Sequence, residues 1–121
     1  MMLTLYTEDY FDAAHFIENY DGKCAELHGH TWKICVWVRG DESLLDNNGI
    51  LWDFGNLKRL TKELDHKNLN EVLKINPTAE NLVLYVFQKL KAQYGNLGFK
   101  VRIYEKIIKK ESYCEAGDID V

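Results

Sequence analysis

The sequence predicts an α+β domain whose antiparallel sheet carries both of its helices on one face. Three observations support this: apolar and polar residues alternate at both ends of the chain, apolar residues fall at helical spacing in two central stretches, and short turns separate the paired segments. The expected order is strand, strand, helix, helix, strand, strand. At 121 residues, 46% of them hydrophobic, the chain is expected to form one domain, residues 1–121, with a core of its own.

Residues 2–14 mix apolar and polar positions with aromatics and threonines, and read as the first strand. Residues 17–27 read as a loop, with turn chemistry from Asn19, Asp21 and Gly22. The second strand runs from His28 to Arg39. Its even face carries His28, His30, Trp32, Ile34, Val36 and Val38, apolar at one end and imidazole-bearing at the other. Gly40 to Gly49 is a turn-rich connection. Asp53 then reads as the N-cap of a first helix, with Phe54, Leu57, Leu60 and Leu64 at helical spacing over about three turns, ending near Asp65. Residues 66–76 read as a connector. Pro77-Thr78-Ala79-Glu80 opens the second helix with Thr78 as its cap; Leu82, Val83, Val86, Phe87 and Leu90 form its buried stripe, and Gly95 marks its end. Residues 98–108 form a third strand with Phe99, Val101, Ile103 and Glu105 on one face, and a shorter fourth strand follows Glu111. Two uncovered edges invite pairing with further copies of the chain, so an oligomer is expected.

A formal net charge of −4 argues against broad nucleic-acid binding, which needs a basic face. No apolar run approaches the ~20 residues of a membrane span. The opening MMLTLYTEDYFD lacks the basic and apolar segments of a secretory signal, so the cytoplasm is the expected compartment. Cys24, Cys35 and Cys114 are an odd count without a CxxC pair, which fits free thiols in a reduced compartment.

The segment HFIENYDGKCAELHGH, from His15 to His30, holds three of the four histidines. A lone histidine is more often a surface or core residue than a ligand, but these are grouped. His28 and His30 sit at strand period and point the same way, and His15 can join them from an earlier element. Three protein ligands with one open position make a catalytic metal site, and all-nitrogen ligation favours zinc. Cys24 lies in a polar loop, where a nearby metal cation and Lys23 would favour the thiolate. From the residues alone it can be a fourth ligand, a nucleophile or a proton-transfer base. Asp65-His66 reads either as a histidine placed by the helix dipole or as a proton relay. Glu105 is the one acid on its apolar face. It reads either as a strand end reaching solvent or as a carboxylate receiving two parallel N–H donors from a flat heterocycle.

AAH around His15, CAELHGH from Cys24, WDFGNLK from Trp52, LDHKNLN from Leu64, PTAEN from Pro77 and the strand carrying Glu105 occur in an order and spacing that resemble the 6-pyruvoyl-tetrahydropterin synthase family. Within that family the chain looks most like the 6-carboxy-tetrahydropterin synthase branch of bacterial queuosine biosynthesis. The resemblance implies a tunnelling fold (T-fold), with a ββααββ subunit and a four-stranded antiparallel sheet. Three subunits close a barrel, and two barrels stack into a homohexamer, a dimer of trimers. It also implies zinc on His15, His28 and His30, and Cys24 as general base. Asp65 and His66 of a neighbouring subunit would complete the proton relay, and Glu105 would anchor the pterin through its 2-amino and ring N–H groups. The implied reaction is that of a zinc-dependent lyase on 7,8-dihydroneopterin triphosphate. The carboxy branch releases acetaldehyde and triphosphate; the pyruvoyl branch eliminates triphosphate alone and is the runner-up. A non-catalytic zinc- or pterin-binding module is the alternative of another class, but it would have no use for a thiol and a relay pair. The chain departs from the family pattern after Glu105, where Lys106 replaces the usual threonine or other small hydroxyl residue.

Overall fold

The computed structural model describes residues 1–121. Its elements are β1 (Met2–His15), β2 (His28–Asp41), α1 (Gly55–Thr61), β3 (Lys67–Asn68), α2 (Leu69–Val72), α3 (Ala79–Gln93), β4 (Gly98–Lys106) and β5 (Ser112–Gly117). The sheet order is β3-β1-β2-β4-β5. The four long strands are antiparallel, as expected, and the two-residue β3 adds a parallel edge against Ala13 and Ala14.

The β1–β2 hairpin sets the frame. Its pairing runs without a break from Met2 opposite Asp41 to His15 opposite His28. Alternation then puts Phe11 and Ala13 on the same face as Trp32, Ile34, Val36 and Val38. In β4, Phe99, Val101 and Ile103 continue that face, and all of these side chains are buried. Leu82, Val83, Val86 and Leu90 of α3 close the core from above. Phe87, expected within that stripe, lies half-buried at its margin. The Trp32 ring is fully buried, and its Nε1–H donates to the Ala13 carbonyl at 3.2 Å.

The helix ends obey local chemistry. Thr78 caps α3 by accepting from the Asn81 N–H at 3.1 Å. Asp53 serves the start of α1 by accepting from Gly55 N–H at 2.8 Å, although Phe54 occupies the cap position. The first helix is shorter than expected. It ends at Thr61, not near Asp65, and the chain from Lys62 to Asp65 closes in tighter turns. Thr61 marks the change: its buried hydroxyl donates to Asp9 Oδ2 at 2.6 Å and ties the helix to β1. Beyond it, His66 adopts a left-handed φ of 59°. The expected connector of residues 66–76 contains β3 and α2, both too short to leave a periodic signal. The third long strand stops at Lys106, two residues before the expected end.

No helix is long and apolar enough to cross a membrane. The packing predicts opposite outcomes at neighbouring leucines of α3. Leu82 is fully buried and Leu84 is 48% exposed. In urea unfolding, Leu82→Ala should cost roughly 2–5 kcal/mol, and Leu84→Ala about 0.5 kcal/mol or less.

Candidate metal centre and relay pair

The hairpin register assembles the histidines. His15 faces His28 across the ladder, and Ala13 faces His30. The helix-facing side of the sheet therefore ends in three imidazoles, stacked one step beyond Trp32. Their ring centroids lie 4.6 Å (His15–His28), 5.1 Å (His15–His30) and 4.7 Å (His28–His30) apart. Trp32 meets two of them edge-on, at 5.0 Å from His15 and 5.4 Å from His30.

Main-chain carbonyls turn two of the rings. His15 Nδ1 donates to the Pro77 carbonyl at 2.8 Å, and His28 Nδ1 donates to the Glu26 carbonyl at 2.7 Å. A ring whose Nδ1 donates keeps the lone pair on Nε2, which is the tautomer a metal ligand needs. His15 Nε2 and His30 Nε2 are buried without a hydrogen-bond partner. Burial also holds both imidazoles below the ordinary histidine range, so that they favour the neutral, ligating form.

Glu105 is the fourth member. It shares the face of Ile103 in β4 and projects beside His30, with Oε1 3.3 Å from His30 Nε2 but no hydrogen bond between them. The donor atoms of His15, His28, His30 and Glu105 all lie within 4.8 Å of one another. Buried unpartnered nitrogens and an adjacent carboxylate fit a divalent ion with nitrogen-rich ligation. The residues alone leave Glu105 as a strand end reaching solvent or as a group for a heterocycle; its place among the imidazoles follows from the β2–β4 pairing.

Asp65 and His66 form a second cluster at the outer edge of β1. The Asp12 N–H donates to Asp65 Oδ1 at 2.9 Å, and the His66 N–H donates to the Asp12 carbonyl at 2.6 Å. His66 Nδ1 lies 3.0 Å from Asp65 Oδ2, with the His66 side chain 79% exposed. The Asp12 amide, and after it His66, holds the Asp65 carboxyl below its usual range. The Asp12 carboxylate joins the cluster and accepts from Thr31 Oγ1 at 2.5 Å. Asp12 alternates with Ala13, so its side chain points to the opposite face of the sheet from the imidazoles. An open cavity of about 620 Å³ lies here, with Asp12, Thr31, His66 and Lys67 in its wall. The roles of Asp12 and Thr31 in this cluster had no signal in the sequence beyond strand alternation.

Cys24 belongs to neither cluster. It is a free, half-buried thiol on the 3-10 turn Lys23–Ala25. The structure thus brings together His15, His28, His30 and Glu105, separately pairs Asp65 with His66, and leaves Cys24 on the loop between two imidazole-bearing strand ends.

Known proteins share this architecture. The family model described as 6-pyruvoyl tetrahydropterin synthase matches residues 4–116. A putative 6-carboxy-5,6,7,8-tetrahydropterin synthase of Archaeoglobus fulgidus is 39% identical over 99 residues, covering 78% of this chain and 81% of that one. The 6-carboxy-5,6,7,8-tetrahydropterin synthase of Synechocystis is 35% identical over 97 residues, covering 74% and 75%. The structure of 6-pyruvoyl tetrahydropterin synthase from Caenorhabditis elegans superposes with a TM-score of 0.69 at 29% identity, covering 96% of each chain. The T-fold expected of the subunit is the fold observed, and the chain belongs to the 6-pyruvoyl tetrahydropterin synthase family of enzymes.

Proposed function

We propose that the protein is a zinc-dependent 6-carboxy-5,6,7,8-tetrahydropterin synthase. Its substrate in this reading is 7,8-dihydroneopterin triphosphate, and its place is a cytoplasmic route to queuosine. The observation that carries the reading is the convergence of the His15, His28 and His30 donor atoms, two of them buried and unpartnered, beside Glu105. The 6-carboxy names of the archaeal and cyanobacterial relatives favour the carboxy branch over the pyruvoyl one.

His15, His28 and His30 would hold the zinc. Bound there, the ion supplies Lewis acidity and lowers the pKa of a coordinated hydroxyl. The protein's own groups do the rest. The Glu105 carboxylate receives the parallel 2-amino and ring N–H donors of the pterin, orienting its side chain toward the imidazoles. Cys24 takes a proton from the substrate side chain as general base. Asp65 engages His66 Nδ1, leaving Nε2 to pass that proton. One water is consumed as acetaldehyde and triphosphate leave; its oxygen completes the one-carbon carboxylate that the ring keeps, and the electrons given up by the side chain reduce the ring from the dihydro to the tetrahydro level.

The relay pair and the imidazole cluster gather around side chains on opposite faces of the same sheet end, which favours a site shared between subunits. In that arrangement Asp65 and His66 serve the Cys24 of a neighbour. The side of β1 away from β2, from Met2 to Phe11, and the outer side of β5 have no strand partner, and such edges can pair between copies to close a barrel. This is the basis for the proposed homohexamer, a dimer of trimers.

Metal analysis should return about one zinc per chain, lost in His28→Ala and in His30→Ala; full retention by both variants would contradict the ligand assignment. Cys24→Ala should keep its zinc while turnover falls by about 10²-fold or more. Mixing Cys24→Ala with His66→Ala subunits should recover part of the activity, and a mixture as inactive as its components would argue for a site within one chain. Mass analysis of the product decides the branch: 6-carboxytetrahydropterin with acetaldehyde supports this reading, and a pyruvoyl product contradicts it.

A further inference from the structure

We infer that Asn70 and Asn76 are positioning residues for Cys24, their side-chain amides standing in for a missing strand along residues 16–18. The inference rests on the proposed role of Cys24 as general base. The loop of residues 16–27 leaves β1 after His15 and re-enters the sheet at His28. No strand pairs with it, so its main-chain groups need partners from elsewhere.

Two asparagines provide them. Asn70 Oδ1 accepts from the Phe16 N–H at 2.9 Å, and Asn70 Nδ2 donates to the Phe16 carbonyl at 2.9 Å. Asn76 repeats the arrangement on Glu18, accepting from its N–H at 2.8 Å and donating to its carbonyl at 3.1 Å. Phe16 and Glu18 are alternate residues, whose main-chain groups point to the same side of an extended chain. Ile17 points the other way, and its N–H donates to the Cys24 carbonyl at 2.7 Å. One side of the segment is gripped by amides, and the other side holds the residue that bears the thiol.

Both grips are themselves anchored. The Asn70 N–H is taken by Asn68 Oδ1 at 3.1 Å. The Asn76 carbonyl accepts from Thr78 N–H at 2.9 Å and from Asn81 Nδ2 at 2.8 Å. The next carbonyl, Pro77, orients His15. A single corner before α3 therefore sets both an imidazole of the metal cluster and the loop of Cys24. Only a primary amide presents a donor and an acceptor side by side at this size. Aspartate keeps the shape, removes the donor, and turns a second acceptor toward the Phe16 or Glu18 carbonyl.

The test compares Asn70→Asp, Asn76→Asp and the double variant with the unaltered protein, in its zinc-loaded form, and includes Cys24→Ala as control. Zinc content, kcat and KM for 7,8-dihydroneopterin triphosphate, and the rate of Cys24 alkylation by iodoacetamide (followed by peptide mass) are measured. In the double variant kcat should fall about tenfold or more, with KM within about twofold and zinc retained. Cys24 alkylation should change by about threefold or more while Cys35 stays unreactive. Unchanged kcat and unchanged alkylation would overturn the inference, and so would zinc and activity falling in parallel, which is the mark of a purely structural role. If the double variant does not fold, Asn76→Ser replaces it, and an unaltered Cys24 alkylation rate in that variant overturns the inference. Full activity in Cys24→Ala would instead overturn the general-base reading, and the alkylation readout would still decide whether the amides hold the loop.

Discussion

Two main-chain carbonyls decide where the centre of this protein lies. Pro77 and Glu26 accept from the Nδ1 atoms of His15 and His28, so the remaining lone pairs face inward. Neither carbonyl lies within a strand or helix: Glu26 follows the 3-10 turn of Lys23–Ala25, and Pro77 precedes the Thr78 cap of α3. A buried polar atom left unpartnered costs about 1–3 kcal/mol, and the inward-facing Nε2 atoms of His15 and His30 are both in that state. A ligand that accepts both lone pairs removes the penalty. Metal affinity and fold stability are then parts of one equilibrium.

The hairpin makes that convergence possible. Strand side chains alternate with a period of two, so a slip of one residue between β1 and β2 would send the imidazoles to opposite faces. Fourteen residues of β1 facing fourteen of β2 hold the register. The apolar inner face, anchored by Trp32 and covered by α3, fixes which side is which. The same alternation carries Asp12 outward to Asp65 and His66. One sheet end thus presents two chemically different clusters, one beneath the helices and one on the uncovered face. An assembly of several subunits can bring the second cluster of one chain to the first cluster of the next.

Long periodic elements were legible in the residues. His28 to Val38 announced a strand with imidazoles at one end, and the stripe from Leu82 to Leu90 announced α3 together with its Thr78 cap. Those signals come from side-chain burial repeated over many residues, which a sequence displays directly. The shortened α1 was hidden because Leu64 keeps helical spacing although the helix stops at Thr61; the Thr61–Asp9 hydrogen bond that accompanies the stop spans the chain. β3 and α2 have too few residues to show a period. The grips of Asn70 and Asn76 leave no pattern at all, since an asparagine that partners distant main chain looks like any loop asparagine. Glu105 was singled out for its parity in β4, but its approach to His30 needed the pairing of β4 with β2.

X-ray absorption at the zinc edge of the purified, metal-loaded protein reads the ligands of the imidazole cluster. The expected first shell holds nitrogen and oxygen scatterers at about 2.0–2.1 Å with the outer-shell signature of imidazoles. A sulfur scatterer near 2.3 Å would make Cys24 a ligand, remove it as a free base and contradict a site held by three histidines with an open position.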